Sequence, residues 1–370
     1  MSAQVAAIGI GSDPVIVHLL AHAAVRGIEV EGIDIGRVVS SGAWDIRVPE
    51  DGHSELFVDG ARISPADWRA VYVRLIDLSP REPDARQRAR WRGVISGVQA
   101  WLEVAELHVV NRPSADEQNG AKPLHESWLR QAGFLIPDSC TSSDPARLGE
   151  FASMGRTVVK TVSDMRGHSR EVTPEDFARF RPQQGPVHLQ RLVVGDDVRA
   201  HVIGNRVISV RISSDHVDYR RDRATRHRPW ELADELSARL VNATGAQGLV
   251  FAGWDLKLDG DGRLWCLEAN PMPGYKMYDR WLGGVISDAL LDNLRAGESS
   301  GPRRWPRLAA MSSPVPHDPE AKLAWERALH EFCAGGRKAT CTEPRDPAEC
   351  SCRSKEKIAR RCEEIMRRAA

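Results

Sequence analysis

The residue types best suited to chemistry lie in one stretch. Gly248-Leu-Val-Phe-Ala-Gly-Trp-Asp255-Leu-Lys-Leu leads into a tight Asp259-Gly-Asp-Gly262 turn and out through Arg263-Leu-Trp-Cys-Leu-Glu268-Ala-Asn270-Pro271. Strand side chains alternate between faces, so a turn that pairs Leu258 with Arg263 sets Leu256 against Trp265 and Asp255 against Cys266. Glu268 and Asn270 then fall on the face of Asp255. Diagonal neighbours on such a ladder are roughly 7 to 8 Å apart, a span that carboxylates can close around a hard cation. The pattern predicts Mg²⁺, bound by Asp255, Glu268 and Asn270. Mg²⁺ is usually held by one or two carboxylates plus substrate phosphates, so the set points to a nucleotide site. The opposite face, Trp254, Leu256, Trp265 and Leu267, is apolar and is expected in the core. The competing reading is an ordinary hairpin with solvated acids.

Positioning this hairpin takes a larger frame. The chain opens with an apolar strand from Val5 to Ile10, a Gly-Ser-Asp-Pro turn, a helix from Pro14 to Arg26 and a strand from Ile28 to Ile33, a small α/β unit. Gly9-x-Gly11 is half of a dinucleotide fingerprint, without its third glycine. A strand at Ala70 to Leu75 and a Trp/Arg-rich helix from Arg86 to Leu107 follow, punctuated by Asn111-Arg-Pro. The next block predicts a helix from Lys122 to Ala132, an extended Phe134 to Pro137, a helix from Pro145 to Ser153 and the strand Thr157 to Lys160. Strands at 186–194, 198–202 and 206–212 are followed by a helix from Pro229 to Thr244, the acidic hairpin, and a helix from Gly284 to Leu294. Gly297-Glu-Ser-Ser-Gly-Pro begins a linker.

At 370 residues the chain is long enough for two or three domains. Hydrophobic residues make up 42%, and 51 Lys and Arg balance 51 Asp and Glu, so no global field draws nucleic acid or an anionic membrane. No secretion signal opens the sequence and no run of about 18 apolar residues occurs, which leads to the expectation of a cytoplasmic protein with no membrane partner. Cys140 and Cys266 lie in the body, whereas Cys333, Cys341, Cys350, Cys352 and Cys362 crowd the end. With His330 they number enough ligands for Zn²⁺, but they lack the paired spacings of structural zinc sites; reduced thiols on a helical appendage are the other reading.

Several stretches, in order, resemble the ATP-grasp superfamily, above all the ribosomal-protein glutamate ligases and the microviridin-type (graspetide) peptide ligases. They are Asn119-Gly-Ala-Lys122 with Gly133-Phe-Leu-Ile-Pro137; Val158-Val-Lys160; Leu189-Gln-Arg-Leu-Val193 with Gly195-Asp-Asp197-Val-Arg199; Val217-Asp-Tyr-Arg-Arg221; and Asp255 with Glu268-Ala-Asn270-Pro271. The resemblance covers residues 110–295 and implies two α+β subdomains clamping Mg·ATP. It assigns Lys122 and Lys160 to the phosphates, a role their point charges suit. It places Gln190, Arg191, Leu192 and Val193 beside adenine through their backbone, Asp197 at the ribose, and Arg199 at the phosphate or acyl intermediate. An arginine of the Asp218-Tyr-Arg220-Arg221 run matches the family's loop for the γ-phosphate and incoming carboxylate; which of the two points inward stays open.

One departure stands out. Where many relatives carry a glycine-rich lid, this chain has Ser163-Asp-Met-Arg166-Gly167-His168-Ser169-Arg170, in which Arg166 or Arg170 would replace backbone amides.

The expected architecture is a mixed α/β and α+β chain. An N-terminal α/β domain spans 1–111, an ATP-grasp domain 112–296, a linker 297–320 and a Cys-containing tail 321–370. The resemblance implies an ATP-dependent carboxylate ligase that forms an acyl phosphate and passes it to an amine or hydroxyl, acting on a peptide or protein. His168 and His201 receive no role, and Asp218 is a candidate general base. Residues 301–370, with 15 Lys and Arg against 10 Asp and Glu, would suit an acidic leader peptide, and an oligomer is compatible with the sequence. The alternatives are a small-molecule amino acid or dipeptide ligase and a non-catalytic nucleotide-binding regulator.

Overall fold

β1 (Val5–Gly9) is buried at every residue, as befits a parallel strand covered on both faces. Asp13 then accepts the Val15 amide at 2.7 Å and caps α1 (Pro14–Val25), whose first turn carries the proline. β2 (Glu31–Asp34) and α2 (Ile35–Ser40) precede a three-stranded antiparallel meander, β3 (Ala43–Ile46), β4 (Ser54–Val58) and β5 (Ala61–Ile63). β6 (Ala70–Arg74), α3 (Ala85–Val104) and β7 (His108–Val110) complete a parallel sheet of order β2-β1-β6-β7. Val5 and Ala7 pack with α1 on one face, while Ala6 and Ile8 pack with α2 and α3 on the other. This is the two-sided burial that alternation along a strand produces when helices cover both faces. The second strand starts at Glu31 rather than Ile28. The meander and α2 have no counterpart in the expected elements, because they are too short for a readable period.

The structure, a computed structural model, describes residues 4–46, 54–58, 61–162, 169–184, 186–222 and 224–297. These belong to a unit running from Met1 to Arg303. The linker, the Cys-containing tail with its zinc reading, and the 163–168 lid with Arg166 and His168 lie outside the described residues. No helix among the described residues is long and apolar enough to cross a membrane.

After β7 the chain passes through a polar joint. Asn111 donates to the carbonyls of Phe251 and Pro271, both at 2.6 Å, and accepts the amides of Val250 and Phe251 at 2.8 and 2.9 Å. Arg112 turns the other way, to the carbonyls of Leu102, Ala105 and Leu107 at the end of α3. The second block then runs α4 (Lys122–Gln131), β8 (Ser139–Ser142), α5 (Pro145–Ser153), β9 (Thr157–Lys160), β10 (Arg170–Glu171), α6 (Pro174–Arg179) and β11 (Val187–Arg191). Its antiparallel sheet has the order β10-β9-β11-β8. Residues 134–137 join no sheet; the Leu135 carbonyl instead accepts the Cys266 amide.

The third block holds β12 (Gly195–Ile203), β13 (Arg206–Ser213), β14 (Arg226–Pro229), α7 (Asp234–Ala246), β15 (Phe251–Asp259), β16 (Leu264–Asn270), α8 (Lys276–Trp281) and α9 (Val285–Ala296). Pro229 ends an edge strand instead of opening a helix, a place where its missing amide costs no ladder bond. The sheet order is β14-β13-β12-β15-β16. One face packs Val198, Ala200, Val202, Ala252, Trp254 and Leu256 against α4 and α7. Trp254 is fully buried, and its indole N–H donates to Thr244 Oγ1 at 3.0 Å.

The β15/β16 hairpin departs from the expected register twice. Asp259 gathers the turn by accepting the amides of Asp261 and Arg263 at 2.9 Å, with Gly262 at φ 81°. Leu258 therefore meets Leu264, not Arg263. Continued unchanged, that register would set Asp255 against Leu267 and turn Glu268 to the core. A bulge at Asp255/Leu256 takes up the extra residue, and Asp255 pairs with Glu268, Gly253 with Asn270. Each slip of one residue flips every side chain, so two slips restore the shared face. The apolar reverse face is consequently Trp254, Leu256, Cys266 and Ala269; Trp265 opposes Lys257, and Leu267 turns to the acidic side.

Candidate functional site

The acidic face of the hairpin forms one wall of a cleft of about 510 Å³. β12 lies beside β15 so that Asp197 is opposite Lys257 and Arg199 opposite Asp255. Both register pairs are ion pairs, at 2.8 Å and 2.5 Å. Asp197 and Arg199 thus share a face, as alternation predicts, yet each takes its partner across the ladder rather than from the other. Arg199 is nearly buried; burial works against its charge, but Asp255 and the phenolic oxygens of Tyr278 and Tyr219 outweigh that and raise its pKa. Its guanidinium passes over the Tyr278 ring at 5.5 Å. Gly253 makes this approach feasible: a Cβ there would come within 2.2 Å of Arg199 Nη2 and 2.7 Å of Pro273. Burial pushes the Asp197 carboxyl up to about 6, with Lys257 pulling the other way.

The loop after β16 closes the end of this wall. Asn270 Oδ1 accepts the Met272 amide at 2.9 Å, and Arg74 at the end of β6 donates to the carbonyls of Met272 and Pro273 at 3.2 and 3.0 Å. Arg74 is in turn paired with Asp13 at 2.9 Å in a buried setting. Between Glu268 and Asn270 the Ala269 amide donates to His125 Nε2 at 2.9 Å, which requires that nitrogen to be unprotonated. Burial, which holds the His125 pKa down, supplies that condition.

The facing wall comes from α4, β9 and β11. Lys122 and Lys160 line it, with Val158, Leu192, Val193 and, from across the cleft, Leu267 making an apolar slot. Burial depresses the Lys160 pKa against the pull of Glu268 and Glu126. Two residues of the expected adenine segment behave otherwise. Gln190 is buried behind the wall, and its side chain joins Lys160 at 2.6 Å and Glu126 at 2.7 Å. The Arg191 guanidinium lies over the Phe151 ring and is anchored on Gly155, Phe151 and Thr157. The amides of Arg191 and Leu192 already reach the carbonyls of Asp138 and Arg156.

The 217–220 segment and α8 form the mouth. Arg220 lines the cleft and forks onto Asp218 at 2.7 and 2.8 Å; that hydrogen bonding raises its pKa, and its side chain is half exposed. The Arg221 side chain lies outside the described residues. Asp218 is nearly buried in its pairing with Arg220, an arrangement that does not suit a general base. Arg170 is engaged by Asp176 at 2.6 and 2.7 Å rather than by the cleft. His201 is fully buried between Phe251 and Tyr278, and its ring nitrogens have no partner among the described residues; burial, then Arg199, keeps it neutral.

Eleven of the thirteen anticipated site residues therefore line one cleft; Gln190 does not, and the side chain of Arg221 is outside the described residues. Lys257, Tyr219, Tyr278 and Met277 line it as well. Lys257 was within reach of alternation from Asp255; Tyr278 and Met277 sit on a separate helix and leave no local signal. The wall carries six cationic side chains (Lys122, Lys160, Arg191, Arg199, Arg220, Lys257) and four acids (Asp197, Asp218, Asp255, Glu268), a balance suited to a polyanion. Among the described residues no cluster of three or more His, Cys, Asp and Glu is assembled for a metal. The facing carboxylates of Asp255 and Glu268 with the Asn270 amide oxygen form an open, hard-oxygen set, which fits an ion completed by substrate phosphates.

No family model matches the sequence. A tetrahydromethanopterin:alpha-L-glutamate ligase from Methanococcus maripaludis is 28% identical over 149 residues, which is 38% of this chain and 49% of that protein. The match thus spans about half of that relative's length. Among solved structures, the ATP-grasp ligase PsnB complexed with minimal precursor, Mg and ADP is 28% identical and superposes with a TM-score of 0.66, covering 80% of this chain and 98% of the other. The macrocyclase MdnC from Microcystis aeruginosa MRC, bound with precursor peptide MdnA, is 19% identical at a TM-score of 0.69, over 79% and 99% of the two chains, a likeness of fold.

Proposed function

We propose that the chain, whose fold is that of the ATP-grasp ligases, is an ATP-dependent carboxylate ligase acting on a peptide. A substrate carboxylate attacks the γ-phosphorus of ATP in line and ADP leaves with the bond's electron pair. An amine or hydroxyl then attacks the acyl phosphate, inorganic phosphate departs, and an amide or ester remains. The observation that carries the reading is the cleft itself, where two carboxylates face each other across a bulged hairpin beside six cationic side chains.

Lys122 and Lys160 are suited to bind the phosphates, and Arg199 with Arg220 to steady negative charge on the transferring group; Arg221 is a further candidate. The slot of Val158, Leu192, Val193 and Leu267 fits a purine, and Asp197, which lines the same cleft from the β12 side, is suited to the ribose. Asp255, Glu268 and Asn270 would hold Mg²⁺, which when bound supplies charge neutralisation on the phosphates. In this reading residues 1–111 form the domain before the ATP-grasp pair, 112–296 the pair itself, 297–320 a linker and 321–370 a tail, and the enzyme works in the cytoplasm, where ATP is supplied.

The peptide substrate is supported by PsnB, whose solved complexes contain a precursor peptide. The likeness to a glutamate ligase favours a free amino acid as the second reading. Both are separated by measuring Mg-dependent ADP release with precursor peptides and with an amino-acid pool, together with loss of the mass of water from the peptide. Stimulation by peptide alone is expected; release driven by amino acids alone would replace the peptide reading. Glu268→Ala should cut ADP release by at least about 100-fold, as loss of a metal contact does. Full activity in that variant would remove Glu268 from the metal set.

A further inference from the structure

Behind the phosphate wall lies a buried polar chain that the reaction described above does not use. Its centre is Glu126 on α4, which is 3% exposed. The Glu126 carboxylate accepts from His188 Nε2 at 2.9 Å, from Gln190 Nε2 at 2.7 Å and from the Ser139 hydroxyl. His188 is held from behind, its Nδ1 meeting the Thr141 hydroxyl at 2.8 Å. Gln190 Oε1 accepts the Lys160 ammonium at 2.6 Å.

Register explains the convergence. His188 and Gln190 are two apart on β11 and share a face; His188 pairs with Lys160 on β9, and the two pair with Thr141 and Ser139 on β8. The intervening Leu189 and its neighbours Cys140 and Val159 point the other way, into a separate apolar cluster. One face of this sheet therefore gathers Ser139, Thr141, His188, Gln190 and Lys160, and α4 lowers a single carboxylate onto it. Burial alone would raise the Glu126 pKa; hydrogen bonds from His188 and Ser139, with the charge of Lys160, bring it below the ordinary value. The carboxylate is anionic and Gln190 is clamped at both ends, so the amide cannot turn over without breaking both bonds.

We propose that Gln190 and Glu126 are positioning residues: Glu126 orients the Gln190 amide, and the Gln190 carbonyl oxygen fixes the Lys160 ammonium where it meets a nucleotide phosphate. Gln190 thus acts through Lys160 and not through adenine. The inference rests on the assignment of Lys160 to a phosphate in the proposed ligase. Lys160 lies at the end of its strand on a flexible four-carbon stem, and a compact ammonium has no geometry of its own to hold it in place. A lysine that must be ordered on each binding event loses affinity, whereas one already held does not.

The test is a double-mutant cycle read by binding of a non-hydrolysable ATP analogue with Mg²⁺, using the full chain. Gln190→Met removes the acceptor at similar volume, Lys160→Met removes the charge, and the third variant carries both. Gln190→Met is expected to weaken binding about tenfold, the scale of one hydrogen bond to a charged group. Added to Lys160→Met it should change nothing further, since its effect passes through the lysine. Losses that multiply, or binding by Gln190→Met within about twofold of wild type, would overturn the proposal. Glu126→Gln, which keeps the side-chain shape, enters the same cycle with the same expectation, so a folding defect in one variant leaves the other decisive. Thermal unfolding of each variant separates a general loss of stability from a loss confined to the nucleotide. Wild-type protein that binds no nucleotide would refute the ligase reading instead, and the two failures remain distinct.

Discussion

Asp197 gives the chain a pH dependence opposite in sign to that of most ion-paired acids. Burial penalises its charged form more than Lys257 favours it, and Asp255 and Asp218 push in the same direction as burial, so the carboxyl titrates at about 6 against an ordinary 3.8. In the unfolded chain it returns to the ordinary value. From about pH 4 to about pH 6 the folded state therefore binds a proton that the unfolded state has released, and stability falls as pH rises through that window. The span between 3.8 and about 6 corresponds to about 3 kcal/mol, absent below the unfolded value and fully felt above about pH 6. Asp197→Asn removes the titration while its amide oxygen can still accept from Lys257. The variant should match wild type near pH 4 and exceed it by up to about 3 kcal/mol at about pH 7.5, measured by urea denaturation followed through tryptophan fluorescence. Parallel pH profiles for the two proteins would refute the reasoning, because they would mean that Asp197 titrates alike in both states. The same substitution should weaken nucleotide binding, making Asp197 a residue retained at a cost to the fold.

Gly253→Ala should displace Arg199 from Asp255, with a loss of about 1–3 kcal/mol in denaturation and at least a tenfold fall in ADP release, since the added carbon would meet Arg199 and Pro273. Arg74→Met leaves the Asp13 carboxylate buried without its guanidinium and frees the loop carrying Met272 and Pro273; a cost of about 3–5 kcal/mol is expected by denaturation, with weaker Mg-nucleotide binding in the folded fraction.

Periodicity and turn chemistry carried most of the third block. Alternation put Asp255, Glu268 and Asn270 on one face, and Asp197 with Arg199 on the neighbouring one, and these are the faces the structure presents to the cleft. The path to that outcome was not legible. Two single-residue slips cancel in parity, and a sequence shows parity only; the identity of the buried face, with Cys266 in place of Trp265, depends on where each slip falls. Gln190 illustrates another limit. In LQRLV nothing distinguishes a glutamine that faces a ligand from one that faces Glu126, 64 residues away in the chain. The partner of a buried polar group is set by tertiary packing, and so is the pairing of Arg199 with Asp255 instead of its near neighbour Asp197. The short strands of the meander fail for a plainer reason, being too brief to display a period.

The joint at Asn111 and Arg112 bears on how such a chain can be recombined. A breakpoint drawn between these two residues would look, on a sequence, like the seam between two modules. Yet Asn111 occupies four backbone groups of the strand and loop that flank the acidic hairpin, and Arg112, next to it, occupies three carbonyls at the end of α3. Each side of the seam is completed by a side chain that reaches across it. A graft that exchanges the first sheet must therefore carry both residues and the carbonyl ends they satisfy, and the transferable unit is the sheet together with its joint.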